Sequence, residues 1–234
     1  MEFKIIKKDV VTSTNDVLKK DAEKYESGTV LCAKEQTHGK GRSGRSFYSP
    51  PTGLYFSVLL KGEQINPSVL TVLAAVAVMK GIRETYGIKT QVKWVNDIFY
   101  DGKKVCGILT EGAFEKGKLK HAIVGIGINI STEIFPDEIK NIAGSLGENT
   151  NKNDELLSKI LDNFSYEIQN FSDGKFLEFY KKNCLTLGRK VRLISADNSP
   201  VDGVAFDIGN NAELTVKTDS GEVKKIFYGE AQFI

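Results

Sequence analysis

The apolar and polar positions of the chain follow two rhythms. Up to about residue 186 the segments are long and switch between strand and helix periods. Phe3, Ile5 and Val10-Val11 bracket a first strand. Thr12-Ser13-Thr14-Asn15-Asp16 then reads as a helix start, with Ser or Thr free to cap it and Val17, Leu18, Ala22 and Tyr25 as its apolar stripe. Thr29 to Lys34 and Gly53 to Leu60 alternate as strands, the latter with Leu54, Phe56 and Val58 on one face and Tyr55 on the other. Pro67 and Ser68 open a helix that runs to about Tyr86 and stops at Gly87. It is apolar almost all round until Lys80, Arg83 and Glu84, which predicts a path through the middle of the molecule.

Lys89 to Trp94 returns as a strand, Asp101-Gly102 signals a hairpin, Glu115 to Leu119 a further turn, and His121 to Ile130 an inner strand. Ile134 to Ser145 reads as loop with a short helix. Asp154 to Phe171 and Lys175 to Cys184 read as amphipathic helices. Past Leu187-Gly188 only short strands remain: Lys190 to Ile194, Val201 to Ile208, Glu213 to Thr218 and Val223 to Phe227. Turn signals separate them at Asp197-Asn198, Gly209-Asn210-Asn211 and Asp219-Ser220-Gly221. The expected architecture is α+β: a mixed β-sheet with packed helices over residues 1–186, then a small SH3-like β-barrel over residues 187–234.

Composition narrows the class. With 234 residues, 41% hydrophobic and 26% charged, the chain has the content of an ordinary globular protein. A net charge of +2 argues against a general nucleic-acid binder, so basic character has to act locally. Three scattered cysteines without C-x-x-C, and only two histidines, give no zinc pattern and suit a reducing compartment. The segment Met1 to Asp9 lacks the pattern of a signal peptide, and the most apolar run, Val69 to Met79, is too short to span a bilayer. The expectation is a cytoplasmic protein with no membrane partner.

Local basic character is concentrated in one place. Between Gly39 and Arg45, three glycines alternate with Lys40, Arg42 and Arg45. Ordering such a segment costs roughly 1–2 kcal/mol per residue, more than its small side chains return. The loop is therefore expected to close on an anionic ligand and to be mobile without one. Gly39-Lys40-Gly41-Arg42-Ser43-Gly44 fits the pattern G-x-G-x-x-G, but Ser49-Pro50-Pro51-Thr52-Gly53 forbids the helix a dinucleotide fold needs there. No Walker Gly-Lys-Ser/Thr is present. A solvated basic turn is the plainer alternative.

Three other clusters carry candidate chemistry. Ser13, Thr14 and Asn15 stand at a strand-to-helix junction, where they either cap the helix or line a polar pocket with Gln36. A hairpin at Asp101-Gly102 would gather Lys93, Asn96, Asp97 and Lys104, which suits an adenylate or a metal-bound phosphate, or is an ordinary surface hairpin with an ion pair. Gly125 and Gly127 mark close approach of a ligand, or room for packing, and Asn129 is a buried amide in need of partners.

Taken together and in this order, Ser13-Thr14-Asn15, Gln36-x-x-Gly39-Lys40-Gly41-Arg42-Ser43-Gly44-Arg45, Lys93-Trp94-Val95-Asn96-Asp97, Lys104-Val105-Cys106-Gly107-Ile108-Leu109-Thr110-Glu111 and Gly125-Ile126-Gly127-Ile128-Asn129 resemble the biotin–protein ligases. The resemblance spans nearly the whole chain. It implies that biotin and Mg-ATP give biotinyl-5′-adenylate, and that a lysine of a biotin carboxyl carrier protein then takes the biotin. Arg42 and Lys104 would be catalytic. Ser13, Thr14, Asn15, Gln36, Gly39, Lys40, Gly41, Arg42, Lys104 and Gly107 would bind biotin. Arg42, Arg45, Phe47, Asn96, Lys104 and Asn129 would bind ATP or the adenylate, and Asp97 would hold Mg²⁺ or orient Lys104.

Lys40, Val95 and Phe47 stand where the family more often has arginine, proline and tryptophan. No helix-turn-helix precedes the first strand, so no DNA partner is expected. Edge-to-edge pairing into a homodimer is a further implication. The rival readings are a lipoate–protein ligase of the same fold and a non-catalytic biotin-binding module.

Overall fold

The computed structural model describes residues 1–62, 65–194 and 200–234; the expected turn at Asp197-Asn198 lies outside them. A seven-stranded mixed sheet is built from β1 (Lys4–Val11), β2 (Thr29–Gln36), β3 (Gly53–Lys61), β4 (Gln91–Lys93), β5 (Asp97–Tyr100), β6 (Lys103–Glu115) and β7 (Lys118–Asn129). Its order is β1-β2-β3-β7-β6-β5-β4. Only β1 and β2 are parallel, joined by the helix α1 (Thr14–Lys20), as a parallel connection requires.

The sheet has two unlike faces. One is covered by α2 (Pro67–Tyr86), α3 (Asn153–Gln169) and α4 (Lys175–Lys182), and carries the main core, including Phe56, Val58, Val124 and Ile128. The central path expected for α2 is observed: it is buried from Val69 to Met79, starts with Asn66 accepting from the Ser68 amide, and stops at Gly87 with φ of 73°. The other face carries a small cluster in which Leu18 and Ala22 meet Leu31, Leu59 and Ile123. Beyond this cluster the second face opens into a cavity.

Two expectations about helices fail. α1 stops at Lys20, and the remainder of its stripe, Ala22–Lys24, is a single 3₁₀ turn. Residues 134–145 hold no helix; successive turns there are closed by bonds such as Ala143 N to Ile139 O. The hairpin at Asp101-Gly102 forms as expected, with φ of 47° and 72°, the left-handed pair such a two-residue turn needs.

The C-terminal strands β8 (Lys190–Ile194), β9 (Pro200–Ile208), β10 (Leu214–Thr218), β11 (Val223–Ile226) and β12 (Ala231–Phe233) form a second, antiparallel sheet in the order β11-β10-β9-β8-β12. The fifth strand, β12, pairs Ala231 with Leu193 at the sheet edge. The apolar core runs on from the first sheet into this one. At the seam the Trp94 indole donates to Ala212 O at 2.9 Å, and the Trp94 amide to Thr186 Oγ1 at 2.9 Å.

Candidate active site

The sheet face that carries α1 is thinned by glycine. Gly107 on β6 lies opposite Gly127 on β7, and Leu109 opposite Gly125. β3 places Tyr55 and Ser57 beside those two glycines. The space left is filled from above. A Cβ on Gly127 would stand 2.6 Å from the Phe47 ring, and one on Gly125 only 2.1 Å from Asn15 Oδ1. These glycines therefore make room for packing side chains, and those side chains wall a cavity of about 340 Å³.

At the α1 end of the cavity, polar side chains are knitted to one another. Gln36 Oε1 accepts from the Thr14 amide at 2.8 Å and from its hydroxyl at 3.1 Å. Gln36 Nε2 donates to Ser49 Oγ, and Ser49 in turn to Phe47 O. Ser57 Oγ lies 2.6 Å from Asn15 Oδ1 and 2.7 Å from Thr14 Oγ1. Asn15 Nδ2 donates to Glu111 Oε2 at 2.9 Å. Ser13 caps α1, accepting from the Asp16 amide, and also lines the cavity, so capping and pocket are not exclusive. Ser57 and Glu111 were not among the expected site residues. Ser57 had no sequence signal beyond its place in an apolar strand.

The opposite end is held by charge. Lys104 Nζ pairs with Asp97 Oδ1 at 2.7 Å, both side chains being largely buried. A register shift at Ile98/Phe99 places Cys106 opposite Ile98 and Lys104 opposite Phe99, leaving Val105 as an extra residue. This bulge turns Lys104 to the face of Gly107 and Glu111; strict alternation would send it into the α2 core. Lys103 leaves the other way and donates to Asn141 O.

The basic loop lies across the mouth as a small hairpin. The Phe47 amide donates to Gly39 O, and the Gly41 amide to Arg45 O. Its two arms are tied outward, Lys40 to Asp16 at 2.7 Å and Arg45 to Glu230 at 2.8 Å. Arg42, between them, points inward and donates to Asn96 Oδ1 at 3.1 Å, while Asn96 Nδ2 donates to Ile108 O. Burial lowers the Arg42 pKa, against the pull of the Asp97 and Glu230 carboxylates; an arginine keeps its charge in such a setting.

The structure brings Ser13, Thr14, Asn15, Gln36, Lys40, Gly41, Arg42, Arg45, Phe47, Asn96, Lys104, Gly107 and Asn129 to this one cavity. Gly39 does not line it; a Cβ there would meet Phe47 O at 2.4 Å, so its smallness serves the loop's own cross-strand contact. Asp97 stands behind Lys104. Lys93 lies opposite Asp97 in the ladder, as the hairpin expectation has it, but its ammonium faces Glu230 at 3.8 Å and the Phe233 ring. A wall from the 134–143 turns, including Phe135, Ile139 and Ile142, closes the far side. Here the sequence offered apolar residues interspersed with charged ones in a loop. Asn129 Nδ2 donates to Gly144 O beside this wall, and its buried Oδ1 makes no hydrogen bond.

Among the described residues no group of three or more His, Cys, Asp or Glu side chains is placed to hold a metal ion. Asp97, the carboxylate expected to hold a cation or orient Lys104, is paired with Lys104, and Glu138 stands on the exposed wall of the cavity. Burial pushes the Cys106 thiol up and the Cys32 thiol up to about 11, so neither is a ready nucleophile. No helix among the described residues is long and apolar enough to cross a membrane.

Residues 8–129 match the Biotin/lipoate A/B protein ligase family. The Bifunctional ligase/repressor BirA of Bacillus subtilis (strain 168) is 35% identical over 97% of this chain and 73% of its own length. The Biotin–[acetyl-CoA-carboxylase] ligase of Mycobacterium tuberculosis is 27% identical over 84% of this chain and 78% of its own. Among solved structures, the biotin protein ligase from Aquifex aeolicus in complex with biotin and ATP superposes with a TM-score of 0.83. It is 33% identical, with 98% of each chain covered.

Proposed function

The chain belongs to the Biotin/lipoate A/B protein ligase family, and on that premise we propose that it activates biotin with ATP and transfers it to a lysine of a biotin carrier protein. The observation that carries this reading is the division of one cavity between neutral hydrogen-bonding groups at the α1 end and cations at the other. Biotin has the same division, with a neutral ureido head and a carboxylate tail.

In the first step a biotin carboxylate oxygen attacks the α-phosphorus of ATP, the bond to the bridging oxygen breaks, and pyrophosphate leaves. The two anions repel, and charge builds on the phosphoryl oxygens as the bond forms. Arg42 and Lys104 enter the cavity from two sides and offset that charge. Asp97 holds the Lys104 ammonium in place. Asn129 Oδ1 has an open acceptor for an amino group on the base, against the apolar wall of Phe135, Ile139 and Ile142. Magnesium would arrive on the ATP phosphates, which usually supply most of its non-water ligands. In the second step the carrier lysine attacks the acyl carbon, AMP leaves, and the amine gives up a proton.

The test is pyrophosphate exchange into ATP, followed by mass spectrometry of a carrier domain. Biotin-dependent exchange and a single biotinylated lysine are expected. Exchange that responds to lipoate and not to biotin, or biotin binding without exchange, would overturn the reading.

A further inference from the structure

Glu111 closes the β6 motif, stands behind Asn15 without lining the cavity, and has no part in the chemistry above. Its Oε2 accepts from Asn15 Nδ2 at 2.9 Å, and its Oε1 pairs with Lys19 Nζ at 2.8 Å. Burial works to raise its pKa; the hydrogen bonds from Lys19 and Asn15, with the charges of Lys19 and Lys40, outweigh that and hold it low. An ionised carboxylate can only accept. The Asn15 amide is therefore left one orientation, with Nδ2 toward Glu111 and Oδ1 toward Ser57 and the glycine floor.

The consequence runs along the chain of bonds. The Ser57 hydroxyl is shared between Asn15 Oδ1 at 2.6 Å and Thr14 Oγ1 at 2.7 Å, while the Thr14 hydroxyl donates on to Gln36 Oε1. One lone pair of Oδ1 remains, on a residue that lines the cavity. We propose that Glu111 is the positioning residue that sets the direction of this hydrogen-bond chain and so presents the Asn15 carbonyl oxygen to a ureido N–H of biotin. The assignment rests on the reading of the ligand as biotin. Flipped, the amide would offer a donor where the ligand also has a donor.

Two measurements test it, one with the ligand and one without. In the free protein, the Asn15 side-chain amide protons should give a slowly exchanging, downfield NMR pair that moves in Glu111→Ala and stays near its place in Glu111→Gln, which keeps an acceptor oxygen. In calorimetry, Glu111→Ala should weaken biotin binding about tenfold to a hundredfold, the usual effect of orphaning a buried polar group. Glu111→Gln should recover most of it. A biotin methylated on the ureido nitrogen that meets Asn15 should bind the wild type poorly. The same analogue should lose far less, relative to biotin, in Glu111→Ala. An Asn15 pair indifferent to Glu111→Ala, or an unchanged methylation penalty in that variant, overturns the inference. Wild-type protein that binds no biotin would instead sink the proposed function, leaving the amide spectrum to decide the anchoring alone.

Discussion

The two ends of the cavity are built on opposite plans. At the α1 end, Thr14, Asn15, Gln36 and Ser57 use most of their hydrogen-bonding capacity on one another. Such groups are set before any ligand arrives, and what they leave open is a pattern of donors and acceptors. At the β5–β6 end the groups are ionic. Lys104 already has Asp97, and the Arg42 guanidinium donates to the amide oxygen of Asn96. Charges reach further and tolerate more displacement than hydrogen bonds, but they discriminate less. On the proposed function, the hydrogen-bonding end would select the ligand and the ionic end would drive the reaction. Substitutions at the α1 end should appear in affinity, and those at the other in rate.

The largest break should come from Lys104→Ala. Loss of a donor aimed at developing charge typically costs about 3–4 kcal/mol in the barrier, or a hundredfold to a thousandfold in adenylate formation. The Kd for biotin should move far less, and Lys103→Ala, whose ammonium bonds Asn141 O on the other side, should leave both nearly unchanged. Single-turnover adenylation beside calorimetry separates the two quantities. Equal defects in the two lysine variants would erase the division between the ends.

Arg42→Gly comes next. A charge-assisted contact contributes roughly 1.5–3 kcal/mol, and here it is the inward hold of a loop whose other ties face solvent. The adenylate should still form, more slowly, and escape into solution about tenfold to a hundredfold more often per molecule made. Labelling of a bystander protein is the readout; a slow variant with no added escape counts against Arg42 as the latch.

The two ends also differed in how far the sequence disclosed them. The strands, the long helix α2 and the hairpin at Asp101-Gly102 were legible, because period and turn chemistry are local. Arg42, Arg45, Lys104 and Asn129 were found through composition and family pattern. Their geometry was not: Lys104 reaches the cavity only through the bulge at Val105, and a bulge leaves no mark in an apolar run. Ser57 stayed hidden because its partners, Thr14 and Asn15, lie more than forty residues away in the chain. Trp94 stands inside one of the blocks that carry the family resemblance. Its indole donates to Ala212 O, in the turn between β9 and β10. The loop that glycine content marked as mobile without ligand is seen laid across the cavity, with ion pairs on both arms.

A smaller effect should follow from filling the floor at the selective end. In Gly125→Ala the new methyl would stand 2.1 Å from Asn15 Oδ1 if nothing moved, and overpacking of this kind costs roughly 1–3 kcal/mol. Asn15 has to swing, taking its acceptor away from Ser57. The Kd for biotin should rise about tenfold, while the rate of adenylation at saturating biotin stays within about threefold, since Arg42 and Lys104 are untouched. A variant slowed at saturation with normal affinity would place Asn15 at the reacting end.

The smallest effect expected is at the contact between the loop and the second sheet, and its smallness is informative. Arg45 meets Glu230 at 2.8 Å, which invites the idea that the C-terminal sheet grips the loop. The side chains are 56% and 39% exposed, however. Pairs so placed are worth at most about 1 kcal/mol, because water and salt screen them and both long side chains lose freedom. Glu230 also has Lys93 at 3.8 Å, so removing Arg45 does not strand its charge. Arg45→Ala, Glu230→Ala and the double variant should therefore give a coupling below about fivefold in the KM for ATP, fading as salt is raised to several tenths molar. Coupling above tenfold that persists in salt would mean a dry, closed contact in the working enzyme. The second sheet would then belong to the reacting end of the cavity, and the division between the two ends would have to be redrawn to include it.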